Sequence, residues 1–287
     1  MSRCIVLCAL LLALIPAHAD VQDVHDNGLV ARYYTAAGHT AVLVVGGSDG
    51  GYASPDVGAA LERAGYPALT LAYFQNRKGE PADVPDALSR IRLEYMFQAI
   101  DWLKAQPGIE RIVLMGHSRG TELVMETAIR RTDIAGVVVF APSSLRFGST
   151  SGWRAAWTLD GKSLPYLGGV YNTPEDFKEV LEGTSRKKAE IAVEKIRAPL
   201  LLVSSTADAI WPSARMADEI AARATCPVTN LKFDNASHNL MGPGPGTVKL
   251  KVGSSVIDFG GTEEGTRHAR DEGWAATLKF LTALKAC

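Results

Sequence analysis

Short apolar runs alternate with segments of helical periodicity along much of this chain. Thr40 to Val45, Pro67 to Tyr73, Arg111 to Met115 and Ile134 to Phe140 are apolar at nearly every position, so they read as strands buried on both faces. Between them, Pro55 to Ala64 has proline in its first turn and Gly65 at its end, and Leu93, Met96, Phe97, Ile100 and Leu103 recur at spacings of three and four before Gln106-Pro107-Gly108 stops the helix. The alternation resumes with a strand over Pro199 to Val203. A helix follows with Pro212 in its first turn and Met216, Ile220 and Ala224 on one face, and Val228 to Phe233 reads as the final strand. A glycine-rich excursion then leads to a last helix with Trp274, Leu278 and Leu281 on one side. Strands alternating with helices in this way predict a mostly parallel central sheet covered on both faces.

Two stretches break the pattern. Residues 75 to 88 form a polar loop, and residues 141–197 lose the alternation. That second segment holds Trp153, Trp157, Tyr166 and Tyr171 without strand periodicity, and Thr173-Pro174-Glu175-Asp176 reads as a capped helix start. Inserted near the carboxyl ends of the strands, it is expected to be a lid whose Trp153, Trp157 and Tyr166 bind an acyl group. The alternative is that these rings only glue the insertion to the body.

Composition narrows the class. With 30 basic and 31 acidic residues among 287, nothing favours nucleic acid or an anionic membrane. Met1-Ser2-Arg3, an apolar region from Ile5 to Ile15, and small residues at Ala17 and Ala19 form the parts of a signal peptide over 1–19. Cleavage after Ala19 would leave 20–287 as a single exported domain, secreted or periplasmic, with no integral membrane segment; an uncleaved anchor is the alternative. Cys226 and Cys287 would then be the only cysteines left, and an oxidising compartment favours their pairing; two free thiols is the other reading.

The chemistry centres on Gly116-His117-Ser118-Arg119-Gly120, between an apolar strand and a helix-forming segment. The serine of such a nucleophile elbow stands at a strained apex, and the flanking glycines leave room for the chain passing close by. The Arg119 amide, opening the helix, would face charge developing on a substrate carbonyl, with a second oxyanion donor expected at Ser48 or beside it in Gly46-Gly47-Ser48-Asp49-Gly50-Gly51. That loop matches neither glycine-rich nucleotide pattern. Ser118, then Asp208, then His238 is the chain order of an α/β-hydrolase triad, with Asp234 the other candidate acid. His117 is expected to pack or hydrogen-bond rather than act as base. No metal or cofactor is called for. A catalytically silent binding protein on the same scaffold is the rival class, marked by a missing triad member, and none is missing.

Val44 to Gly51, Leu71-Ala72-Tyr73-Phe74, Leu93-Glu94-Tyr95, Gly116 to Leu123, Leu164 to Leu167, Ala209 to Ser213, Ala236-Ser237-His238 and Phe259-Gly260-Gly261-Thr262 with Trp274 carry a resemblance over most of the chain. It resembles the carboxyl-terminal domain of acyl-CoA thioesterases and bile-acid-CoA:amino-acid N-acyltransferases, related to dienelactone hydrolases. The resemblance implies an α/β-hydrolase fold, Ser118 as nucleophile where some members use cysteine, and acyl transfer from a thioester to water or an amine. The expected substrate is a small acyl ester or thioester. Arg77, Lys78, Arg90 and Arg92 are candidates to meet CoA phosphates.

Overall fold

The computed structural model of the chain describes residues 21–169, 174–285 and 287. The expected signal peptide, Tyr171 and Thr173 lie outside them. In chain order the strands are β1 (Val21–Asp26), β2 (Leu29–Tyr34), β3 (Thr40–Val45), β4 (Ala68–Leu71), β5 (Ile91–Arg92), β6 (Arg111–His117) and β7 (Gly136–Phe140). They continue with β8 (Trp157–Leu159), β9 (Lys162–Ser163), β10 (Leu200–Ser205), β11 (Val228–Phe233), β12 (Lys249–Val252) and β13 (Ser255–Asp258). The helices are α1 (Pro55–Arg63), α2 (Leu93–Lys104), α3 (Arg119–Ala128), α4 (Pro174–Glu182), α5 (Ser213–Arg223) and α6 (Glu263–Thr282).

Eight strands form the main sheet in the order β1-β2-β4-β3-β6-β7-β10-β11. From β4 to β11 every pairing is parallel; β1 and β2 add an antiparallel edge. Alternation along each strand divides the core in two. Leu43, Val45, Leu114, Val139 and Leu202 pack toward α2, α3 and α5, whereas Val44, Met115, Phe140 and Val203 pack toward α1 and α6. Helices on both faces are what lets the central strands be apolar throughout.

The edge hairpin is absent from the hydropathy reading, because five of the six residues of β1 face solvent. Its local signal is Asn27-Gly28, with φ of 50° and 83°, the left-handed pair that a two-residue hairpin turn needs. Val228 to Phe233 is also not the last strand: the glycine-rich excursion folds into the β12–β13 hairpin.

The insertion at 141–197 is fastened to the body by charge as well as by apolar contact. Arg146 pairs with buried Glu126 of α3 at 2.6 Å and donates to the carbonyls of Pro165 and Lys188. Leu145, Phe147, Leu167, Phe177 and Leu181 close over Trp211 and Met216. Short strands β8 and β9 add to β5 beside α2.

A disulfide joins Cys226, just ahead of β11, to Cys287 beyond α6, with α-carbons 5.3 Å apart. It closes a loop of 61 residues, for which loss of unfolded-chain entropy gives about 4 kcal/mol of stabilisation. Replacing both cysteines by serine should therefore lower the melting midpoint by roughly 10 °C in a thermal scan. Equal midpoints would show that the closure contributes nothing.

Candidate active site

The site begins where β6 turns into α3. Ser118 sits at that junction with φ 51° and ψ −124°, a backbone state costly for any residue with a side chain. Three hydrogen bonds hold its backbone there: its N–H donates to the Phe140 carbonyl at 3.0 Å, and its own carbonyl accepts from the Thr121 hydroxyl at 2.6 Å and the Thr121 amide at 2.9 Å. The glycines are required sterically. A β-carbon at Gly116 would lie 2.7 Å from the Gly120 carbonyl oxygen, and one at Gly120 would collide with the Gly46 carbonyl. The close passage brings the loop after β3 against the elbow, where a β-carbon on Gly47 would lie 3.0 Å from that of Ser118.

At the apex, Ser118 Oγ lies 2.8 Å from His238 Nε2. Asp208 faces the other ring nitrogen, with both carboxylate oxygens 2.9 to 3.0 Å from Nδ1. Since a carboxylate only accepts, Nδ1 carries the proton and Nε2 is left to accept from the serine hydroxyl. Asp208 is itself fixed by the amides of Ile210 and Trp211, 3.0 and 3.2 Å from Oδ1. All three residues are withdrawn from solvent, Ser118 being 5% and His238 3% exposed. Asp234, the other candidate acid, is exposed and meets Thr206 instead.

The residues that join the acid and histidine loops were not legible as such. Phe259 accepts from the His238 amide at 2.8 Å and from the Ala209 amide at 3.3 Å, so one carbonyl ties both loops together. Gly260 and Gly261, at φ 80° and 64°, follow it, and a side chain on either would run into Ala207 or Ala236. Arg270 of α6 gathers the chain beyond His238 by donating to the carbonyls of Asn239, Met241, Pro243 and Gly244. Trp211 packs edge-on to the His238 ring.

A pocket of about 830 Å³ opens on Ser118 and His238. Ser48 lines it, and the Arg119 amide, at the first position of α3, is one of those a helix leaves without an internal partner. Arg77 and Lys78 stand at the pocket, whereas Arg90 and Arg92 do not. Its apolar lining includes Ile210, Met241, Leu250, Ile257 and Phe259.

The expected lid aromatics are elsewhere. Trp157 is 1% exposed in the core and donates from Nε1 to Glu122 at 2.7 Å; Trp153 is 79% exposed; Tyr166 packs beside Gly148. None lines the pocket, and among the described residues neither does any other part of 141–197. The correction has a physical cause. Arg119 and Arg146, in ion pairs with buried Glu122 and Glu126, bind the insertion against α3, so Trp157 and Phe147 are used for packing there while Trp153 is left in solvent. The pocket wall comes instead from the excursion after His238, whose alternating Lys249-Leu250-Lys251-Val252 ahead of Gly253 was the available sign.

A parallel sheet with a serine elbow, and with acid and histidine on loops following late strands, defines an α/β-hydrolase. The chain belongs to the BAAT / Acyl-CoA thioester hydrolase C terminal family, whose profile matches residues 91–285. It is 26% identical over 176 residues to human acyl-coenzyme A thioesterase 1, covering 57% of this chain and 39% of that protein. Human mitochondrial acyl-coenzyme A thioesterase 2 is likewise 26% identical, with 57% of this chain and 34% of the relative covered. The chain thus spans well under half the length of these relatives. In fold it is similar to a monoacylglycerol lipase of Paleococcus ferrophilus, with TM-score 0.56, 19% identity, and 89% of this chain and 98% of that one covered. A dienelactone hydrolase of Anabaena variabilis gives TM-score 0.54 at 16% identity, covering 93% and 98%.

His117, beside the serine, donates from Nε2 to the His238 carbonyl at 2.9 Å. Desolvation, then the neighbouring His238, push its pKa down to about 3. The unfolded chain, with histidine near its ordinary value, binds this proton more readily, so stability from this group is present above about pH 6.5 and is lost as pH falls toward 3. Urea unfolding between pH 7 and 4 should show stability falling by up to about 1.4 kcal/mol per pH unit from this residue, and His117→Gln should flatten that slope. Parallel pH profiles for the two proteins would refute the assignment.

Proposed function

We propose that the chain is a serine hydrolase that cleaves an acyl ester or thioester through an acyl-enzyme on Ser118. The observation that carries this is the 2.8 Å approach of Ser118 Oγ to His238 Nε2, with Asp208 on the opposite nitrogen. Ser118 Oγ attacks the acyl carbonyl carbon as its proton passes to His238 Nε2. Negative charge on the carbonyl oxygen is met by the Arg119 and Ser48 amides, and Asp208 balances the imidazolium. Collapse breaks the bond to the leaving sulfur or oxygen, which takes the proton from His238. Water then repeats the sequence, freeing the acid and restoring Ser118.

An acyl-CoA is the substrate this reading favours. Family membership supports it, and Arg77 and Lys78 at the pocket offer cations to a phosphate-bearing leaving group. A simple carboxylic ester is the alternative. Export is part of the proposal, supported by the signal-like 1–19 segment and by the Cys226–Cys287 disulfide. A mature exported form that still starts at Met1 would remove signal cleavage.

Ser118→Ala should lower kcat on acyl-CoAs and matched nitrophenyl esters by about ten-thousand-fold, with the melting midpoint nearly unchanged. A fluorophosphonate probe should label wild type and not the variant. Wild-type rates in the Ser118→Ala protein would sink the proposal, and the thioester-to-ester rate ratio decides the leaving group.

A further inference from the structure

We infer that the β12–β13 hairpin is the acyl-selecting wall of this pocket, with Leu250 and Ile257 as its specificity-determining residues; the inference rests on the proposed acyl hydrolysis. These two residues are direct cross-strand partners, and both line the pocket that contains Ser118 and His238. Cross-strand side chains at such a position share one face of the ribbon. The strands alternate so that Lys249, Lys251 and Val256 belong to the other face.

Burial separates the pair from ordinary core. Every residue from Lys249 to Val256 is exposed, and Leu250 keeps 42% of its surface open although it is apolar and stands beside a catalytic constellation. Leu250, open there beside half-buried Ile257, has apolar surface to cover, and a hydrocarbon chain bound in the pocket would cover it. Met241 and Phe259 line the same pocket, as do Arg77, Lys78 and Arg270 together with Asp49 and Asp56. The apolar residues offer a surface to a hydrocarbon acyl chain, and the charged ones are left for its polar end.

The hairpin is also rooted at the chemistry. Its base is closed by the Phe259 amide donating to the Val248 carbonyl at 2.8 Å, and the Phe259 carbonyl is the one that ties the Asp208 and His238 loops. The base of the wall is therefore tied to the same residue that joins the acid and histidine loops.

The test compares wild type with the Leu250→Asn/Ile257→Asn double variant on nitrophenyl esters from acetate to decanoate. The expected result is a loss of about tenfold or more in kcat/KM on decanoate, with acetate within about twofold of wild type, since methylene contacts in an apolar pocket are worth at least that factor. Val256→Asn, on the other face and 60% exposed, should change neither. An equal loss across the series, or none, overturns the inference. A second readout separates it from the hydrolase reading: dansyl-undecanoate should bind the Ser118→Ala protein and weaken about tenfold when the pair is also replaced. If no ester is turned over but probe binding still depends on the pair, the catalytic proposal falls and the wall stands. Probe binding indifferent to the pair, or absent, removes the wall whatever the esters show.

Discussion

The passage of the Gly46 carbonyl against the α-carbon of Gly120 is the constraint on which the rest of the site depends. It seats the start of α3 directly on the end of β3, and so puts the loop carrying Ser48 beside the elbow carrying Ser118. Ser118 stands at positive φ two residues before that contact. The strain is opposed by bonds from Thr121 and to Phe140, both anchored in regular structure. A side chain of any size at position 120 would push β3 and α3 apart, and the loop carrying Ser48 would separate from the elbow with them.

Farther along α3, the same helix faces a different problem. Glu122 and Glu126 are buried, and an unpaired carboxylate there would cost several kcal/mol. Burial raises the pKa of Glu122, while Arg119 and bonds from Trp157 and the Phe147 amide favour its charged form. Those partners come from the helix itself and from the insertion. The charges therefore specify where the insertion sits more than how stable it is, since removing one partner would strand the other. Arg119 serves twice: its amide stands at the elbow, and its side chain holds the carbonyls of Phe147 and Gly148.

Much of this was legible in the chain, and most of the failures share a cause. The buried strands β3, β6 and β10 announce themselves because both faces are apolar, and Ser118 follows β6 and Asp208 follows β10, with His238 after the half-exposed β11. Where one face is wet, the pattern weakened: β1 reads as polar, and the Lys-Leu-Lys-Val alternation of β12 was lost among glycines. The choice between Asp208 and Asp234 turned on which carboxylate reaches His238 Nδ1, and Asp208 does so from 30 residues away, a contact made only by folding. Trp157 misled for another reason. An indole in an insertion has equal claim to a pocket and to a core, and the deciding partner, Glu122, lies 35 residues away.

The excursion between His238 and Phe259 has both its ends fixed, by Arg270 on one side and by the Val248–Phe259 bond on the other, within a segment the disulfide also closes. Residues inserted into or removed from its tip leave the sheet and the triad untouched, and doubling such a loop adds only about 0.6 kcal/mol of closure entropy. The tip of the excursion is thus mechanically separate from the bonds that hold Ser118, Asp208 and His238 together, so the wall of the pocket can change shape without moving them.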